Sequence, residues 1–171
     1  MIRPATEADC AAIAEIYNDA VRHTTAVFNH LTVDVANRMA WRAERLAQGF
    51  PVLVEEEGGV VRGYASYGPF RNFPGYRATV EHSVYIHPEA RGAGLGRALM
   101  VALIDHARAA GLHVLVGGIE AQNRASIRLH ESLGFVQTGH MPEVGQKFGR
   151  WLDLCLMQLR LDDRPSPGAE S

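Results

Sequence analysis

Between Arg91 and Gly96 the chain reads Arg-Gly-Ala-Gly-Leu-Gly and runs at once into the apolar helical stretch Arg-Ala-Leu-Met-Val-Ala-Leu-Ile-Asp-His-Ala. Glycine costs backbone entropy, so three at alternating positions need a physical reason. One reason is a tight strand-to-helix turn. Another is an anion that must come close to bare N–H groups at a helix N-terminus. The preceding Thr-Val-Glu-His-Ser-Val-Tyr-Ile-His-Pro reads as a strand stopped by proline. The spacing is G-x-G-x-G, which is not the G-x-G-x-x-G of a dinucleotide fold. It is not a Walker loop either, because Arg97 and Ala98 follow Gly96 where lysine and a hydroxyl residue would be needed.

The surrounding elements alternate between helix and strand. Ile2–Ala5 is a short first strand, and Thr6 with Asp9 makes a capping-box variant before the helix carrying Ile13, Ile16, Tyr17, Ala20 and Val21. Asp34 caps a second helix, with Val35, Met39 and Leu46 turned inward and the arginines outward. Two β-rich runs surround Gly58-Gly59 as a hairpin, and the Ala78–His87 run is the fourth strand. After the glycine loop, Leu95, Leu99 and Leu103 with Ala98, Ala102 and His106 form one helical face. Leu112–Ile119 is a fifth strand, Asn123 opens a short helix that Gly134 ends, and two further strands close the sheet as an antiparallel pair. The polar, proline-containing tail 162–171 is expected to be disordered.

Composition sets outer limits. A chain of 171 residues fits one domain, with 47% hydrophobic and 21% charged residues, as in an ordinary soluble protein. A net charge of −2 argues against a nucleic-acid partner held by bulk positive charge. No run reaches membrane-spanning length, and no apolar segment near the N-terminus reads as a secretory signal, so a cytoplasmic location is expected without a membrane partner. Cys10 and Cys155 read as buried thiols rather than a disulfide framework. His23, His30, His87, His106, His113 and His140 show no metal-ligand spacing, and no metal is assigned.

A second motif lies thirty-two residues beyond Arg91, where Asn123–Phe135 reads Asn-Arg-Ala-Ser-Ile-Arg-Leu-His-Glu-Ser-Leu-Gly-Phe. Together with the glycine loop it resembles the GNAT superfamily of acyl-CoA-dependent N-acetyltransferases over Ile2 to about Leu161. The segments Glu81–Gly96, Ile127–Phe135 and Gly145–Leu159 are further similar to its phosphinothricin and methionine sulfoximine N-acetyltransferase branch. The resemblance implies an α/β (α+β) GNAT fold filling residues 1–161. Its central mixed, mostly antiparallel sheet would have about seven strands, flanked by about four helices and splayed between strands 4 and 5. It also implies acetyl-CoA as cosubstrate and a homodimer. The implied acceptors are small amino-acid analogues such as methionine sulfoximine, methionine sulfone and phosphinothricin, with detoxification as the outcome.

Under that resemblance, Arg91, Gly92, Ala93, Gly94, Leu95, Gly96 and Arg97 would hold the pyrophosphate of coenzyme A through backbone N–H groups. Val84, Tyr85 and Ile86 would pair with pantetheine as an added strand. Asn123 would bond the pantetheine arm or act as an ordinary helix N-cap, or both. Ser132 would touch coenzyme A or be a helix-end hydroxyl. The reaction needs a neutral amine to attack a thioester and the thiolate to depart, so a base must take the amine's proton. Glu81 is the candidate base, and the alternative is a strand-end carboxylate paired with Arg77. His130 stands where the wider superfamily often has tyrosine, so it reads as an acid, a base or a packed imidazole. Phe28, Arg71, Asn72 and Phe73, with Glu81, His82 and Ser83, would border the acceptor, Arg71 suiting its carboxylate. Trp151 reads as core or dimer interface. A non-catalytic acyl-CoA-binding module, or an enzyme acting on a protein or aminoglycoside amine, remains the alternative.

Overall fold

The computed structural model describes residues 1–168, so the last three residues of the expected tail lie outside the described residues. Seven strands form one sheet in the order β1-β2-β3-β4-β5-β7-β6. They are β1 (Ile2–Pro4), β2 (Val52–Glu57), β3 (Val60–Pro69), β4 (Thr79–Ile86), β5 (Val114–Glu120), β6 (Val136–Lys147) and β7 (Arg150–Arg160). Every neighbouring pair is antiparallel except β4 with β5. Four helices cover the sheet: α1 (Cys10–His23), α2 (Val35–Ala47), α3 (Leu95–Ala109) and α4 (Arg124–Ser132). The mixed, mostly antiparallel sheet with four helices is the expected architecture.

Local chemistry explains most element ends. Gly58 and Gly59, at φ 61° and 83°, make the left-handed two-residue turn between β2 and β3. Thr6 and Asp9 form the capping box, although it opens a single 3₁₀ turn from which α1 then continues. Asp34 caps α2 by accepting the N–H of Asn37 at 2.8 Å, and Gly134, at φ 93°, follows the end of α4. Asp162 meets His113 Nδ1 at 2.9 Å, and Arg164 donates to the Gly111 carbonyl at 3.0 Å. Among the described residues, no helix is long and apolar enough to cross a membrane.

Two hydrophobic cores lie on opposite faces of the sheet. One joins Leu99, Leu103 and Ala107 of α3 to Val80, Leu115, Phe135 and Met157, with Ile127 of α4 and Leu133 just beyond that helix packed against it. The other joins Ile13 and Ile16 of α1 to Val52, Val54 and Tyr64. Cys10 and Cys155 are both free and buried, and Trp151 is 64% exposed, so it is not a core residue.

Two helical faces differ from the sequence expectation. In α3 the buried set is Leu99, Met100, Leu103, Ile104 and Ala107, while Ala98 and His106 lie outside it. In α2 the inversion is larger: Val35, Met39 and Leu46 are exposed and no residue of the helix is buried. Its arginines turn toward the protein instead. The Arg38 guanidinium lies 4.9 Å from the Tyr17 ring centre and 4.8 Å from that of Trp41, and Arg42 donates to the Ala5 carbonyl at 2.8 Å. Arginine stems cover aromatic surface while their heads find π-faces and carbonyls, which a pattern based on hydrophobicity alone inverts.

A buried lysine fixes the segment between α1 and α2. Lys147, 2% exposed at the end of β6, directs Nζ at the carbonyls of Ala20 (3.3 Å), Thr24 (2.6 Å) and Val27 (2.9 Å). A cation at this helix C-terminus meets otherwise unpaired carbonyls and the negative end of the helix dipole. Next to it the Phe28 ring packs against Gly145, where a Cβ would have no room. Lys147→Met keeps the aliphatic length and removes the donors. It is expected to lower the unfolding free energy by about 2–3 kcal/mol in urea titrations. Unchanged stability would mean that water replaces the ammonium at no loss.

Candidate active site

The ladder joining β4 to β5 is three residues long, Thr79–Glu81 against Val114–Val116. Beyond it β5 continues along β7 as far as Glu120, whereas β4 continues only along β3. One edge of β4 is therefore unpaired from His82 to Ile86, and the two strands part. A cleft of about 960 Å³ opens in the gap, within the size range of small-molecule sites. Its walls include Val84, Tyr85 and Ile86 of β4, Gly118–Glu120 of β5, Asn123, Ser126 and His130 near or on α4, and the Thr24–Phe28 segment held by Lys147.

The glycine loop closes one end of this cleft. Gly92 and Gly94 have φ of 81° and 78°, the left-handed region that side chains resist, and Gly94 is the N-cap of α3. Gly96 lies in the first turn of α3, where an added Cβ would meet only ordinary contacts at 3.8 Å or more. Its lack of a side chain is thus not required by protein packing. The Arg91 guanidinium pairs with Asp19 at 2.7 Å, and Arg97 donates to the Ser132 hydroxyl at 2.7 Å. Asn123 accepts the Ser126 N–H at 3.1 Å, so it does cap α4 while also lining the cleft.

Strand alternation sends the chemistry of β4 to both faces. Glu81, Ser83 and Tyr85 face α1 and α2, where the Tyr85 ring packs on those of Tyr17 and Tyr64. Val80, His82, Val84 and Ile86 face α3 and α4. Glu81 forms no ion pair among the described residues, with Arg77 or any other cation. Burial raises its carboxyl pKa, and the positive charge of Arg71 opposes that rise in part. A carboxylate without a counterion, partly desolvated yet open to a cleft, has the character of a general base.

On the opposite face two imidazoles meet. His82 Nε2 and His130 Nε2 are 3.0 Å apart, and His130 Nδ1 is 2.7 Å from the Ser126 carbonyl oxygen. Phe135 packs edge-on against both rings. Burial pushes both pKa values down, that of His82 to about 3 with the His130 charge adding to the effect; for His130 the Ser126 bond opposes the fall. Both rings are thus neutral near pH 7, and the hydrogen bonds assign their tautomers. Only a protonated Nδ1 of His130 can face a carbonyl, so its Nε2 accepts from the protonated Nε2 of His82. The pair needs Gly117 beneath it, because a Cβ there would stand 2.7 Å from His82 Nε2.

The structure gathers Phe28, Glu81, His82, Ser83, Val84, Tyr85, Ile86, Arg91, Gly96, Asn123 and His130 around one cleft. Gly92, Ala93, Gly94, Leu95, Arg97 and Ser132 form the adjoining loop and helix end without lining it. Arg71, Asn72 and Phe73 stand outside the walls on the β3–β4 connection, with Phe73 75% exposed and the Arg71 guanidinium 4.5 Å from the Phe70 ring centre. Sequence reasoning missed Gly117, Lys147 and the union of His82 with His130. The Gly117-Gly118 pair in a strand pattern is the one local signal of close approach that β5 offered, and it does not say which of the two is needed.

Comparison with known proteins agrees with this arrangement. Residues 13–135 match the model of the acetyltransferase (GNAT) family. The chain is 62% identical over 168 residues to the L-amino acid N-acyltransferase MnaT of Escherichia coli, covering 98% of each chain. It is equally, 62%, identical to the L-methionine sulfoximine/L-methionine sulfone acetyltransferase of Salmonella typhimurium, again over 98% of both. The solved structure of yncA from Salmonella typhimurium, determined with its cofactor acetyl-CoA, superimposes with a TM-score of 0.96 at 62% identity, covering 99% of this chain and 98% of that one. With its parted β4 and β5, glycine loop and α4 motif, the chain belongs to the GNAT acetyltransferase family.

Proposed function

We propose that this protein transfers acetyl from acetyl-CoA to the α-amine of a small L-amino acid or analogue, with methionine sulfoximine and methionine sulfone as leading acceptors and phosphinothricin as a further one. The observation that carries the reading is the unpaired edge of β4 between a Glu81 that forms no ion pair among the described residues and a left-handed glycine loop. The edge offers peptide groups to the amides of pantetheine, and the loop offers N–H groups to the pyrophosphate. The relatives' names supply the acceptor class.

In this reading acetyl-CoA supplies the activated acyl group, and the protein's residues position it and move protons. Val84, Tyr85 and Ile86 align the pantetheine arm, with Asn123 at its flank. Arg91 to Arg97 cradle the phosphates, and Ser132 holds Arg97 in place. Glu81 takes the amine's proton, directly or through one water, while Ser83 and Phe28 border the acceptor and Arg71, with Asn72 and Phe73 beside it, meets the acceptor's carboxylate from the cleft mouth. The neutral His82–His130 pair serves as a fixed polar wall rather than a titrating acid, since burial depopulates its imidazolium form. The exposed Phe148 and Trp151 of the β6–β7 hairpin support a homodimer, and two free buried thiols support a reducing, cytoplasmic setting.

Two variants test the cleft. Gly96→Ala should stabilise α3 by about 0.5–1 kcal/mol, because alanine fits the helix there. The same methyl should hold the phosphates away and weaken acetyl-CoA binding about 10-fold by calorimetry. Undiminished affinity would return that glycine to a purely structural role. For Glu81→Gln, kcat should fall by ~10²–10⁴ with acetyl-CoA affinity retained. The raised pKa of Glu81 means that its ionised form is disfavoured in the folded state. Its stability contribution is largest below the unfolded carboxyl pKa and is lost as pH rises through the folded value. Glu81→Gln should therefore match or exceed the wild-type melting temperature at pH 7. In kcat against pH, the acid limb should lie above an ordinary glutamate's position and vanish in the variant, with no second limb near ~6.5 from the histidines. A destabilised variant with wild-type kcat per folded molecule would make Glu81 a strand anchor.

A further inference from the structure

A second cavity, of about 230 Å³, lies on the α1/α2 face behind Glu81 and shares Glu81, Ser83 and Tyr85 with the main cleft. A cavity of roughly 150 Å³ already admits a benzene ring, so this one has room for the end of an amino-acid side chain. The guanidinium of Arg45 stands in its wall without a counterion. Among the described residues Arg45 forms no ion pair, and its Nε is buried without a hydrogen-bond partner. The Tyr64 hydroxyl, on the same cavity, is also buried, and among the described residues its O–H finds no acceptor, the neighbouring Arg38 being itself a donor. Gly68, which pairs with Glu81 across β3 and β4, makes the seat: the Arg45 guanidinium occupies the place of its missing Cβ.

These groups are donor-rich and acceptor-poor. Arg45 and Arg38 can only donate and Tyr64 has a free O–H; against them stand the Ser66 oxygen, whose proton is committed to the Pro51 carbonyl at 2.8 Å, and the Glu81 carboxylate, which the acceptor's amine takes up. A desolvated cation with idle donors is unfavourable unless a ligand brings acceptor atoms. Resting on the proposed amino-acid acceptor, the position of Glu81 fixes the direction of binding. The amine goes to Glu81. The vicinal carboxylate stays within reach of Arg71, whose positive charge is the one acting on Glu81. The remaining end of the acceptor runs toward Arg45.

We infer that the Arg45–Tyr64 cavity binds the sulfur-bound oxygens at the far end of the acceptor side chain and so selects sulfone and sulfoximine over the thioether. A sulfone brings two acceptor oxygens and no donor, and a sulfoximine brings one acceptor oxygen and an imine nitrogen that also accepts, so both complement this wall, the sulfone more fully. An unoxidised thioether brings neither charge nor a strong acceptor and leaves Arg45 and Tyr64 unpaired. Discrimination of this kind is large because the site's own polar groups pay when the wrong ligand binds.

The test compares L-methionine sulfone with L-methionine, which has the same skeleton without the sulfur-bound oxygens, in acetyl-CoA-dependent thiol release by the full chain. Methionine is followed as a substrate or, where turnover is too slow, as a competitive inhibitor. Wild type should prefer the sulfone. In Arg45→Met that preference should fall about 10- to 100-fold, with the KM for acetyl-CoA unchanged. Gly68→Ala keeps the charge and removes its seat, and it should lower the preference in the same direction. The melting temperature of Arg45→Met should hold or rise, because a desolvated, unpaired cation has been removed. A preference absent in wild type, or intact in Arg45→Met, would overturn the inference, as would an equal loss for both acceptors accompanied by a lower melting temperature. Failure of wild type to acetylate the sulfone at all would instead strike the amino-acid reading itself, and it would be seen before any variant is made.

Discussion

The short ladder between β4 and β5 is the constraint from which the site follows. Two parallel strands that stay paired would form a closed sheet with no entry for a ligand. Here three residue pairs hold the strands together and then release them. The release leaves a row of peptide N–H and C=O groups unpaired on one side of β4, a state that folded proteins avoid unless a partner or solvent takes the groups up. It also places Glu81 at the last paired position, at the apex of the gap, where its backbone is fixed and its side chain meets the cavity. The β5 side is held just as firmly, because β7 pairs with it through all seven residues from Val114 to Glu120. The gap is thus a rigid opening between two well-anchored strands.

The unmatched polar groups gather around that opening. Among the described residues, the buried side-chain atoms without a hydrogen-bond partner are Arg45 Nε, the Tyr64 hydroxyl and His82 Nδ1. All three belong to side chains that line one of the two cavities meeting at Glu81. Elsewhere buried charge is fully answered: Asp9 takes both guanidinium arms of Arg3 at 2.8 and 2.9 Å, and Lys147 takes three carbonyls. Incomplete satisfaction confined to one region marks where the fold gives up stability for a ligand.

Much of the scaffold was legible from residue order because its signals are local. The capping pairs Thr6–Asp9 and Asp34, the Gly58-Gly59 hairpin, the glycine loop before α3 and the Gly134 stop each act within a few residues. The family resemblance then supplied the sheet's splay, which no periodicity encodes. What stayed hidden depends on distant partners. The α2 helix carries apolar residues at 35, 39 and 46, yet it turns arginines inward because Tyr17, Trp41 and the Ala5 carbonyl await them. His82 and His130 look unrelated until α4 folds over β4 and Gly117 leaves room for both rings. Arg45 reads as a solvated helix residue until Gly68 is seen to vacate its seat.

Amide hydrogen exchange of the full chain, with and without acetyl-CoA, tests the parted ladder most directly. Added acetyl-CoA is expected to slow exchange in two separate stretches, the gap-facing amides of Ser83–Ile86 and the Arg91–Arg97 loop, while β6 and the Gly58-Gly59 turn stay unchanged. Protection of the glycine loop with no change along β4 would mean that the pantetheine arm does not complete the sheet at the open edge and that the parted ladder is not the binding site.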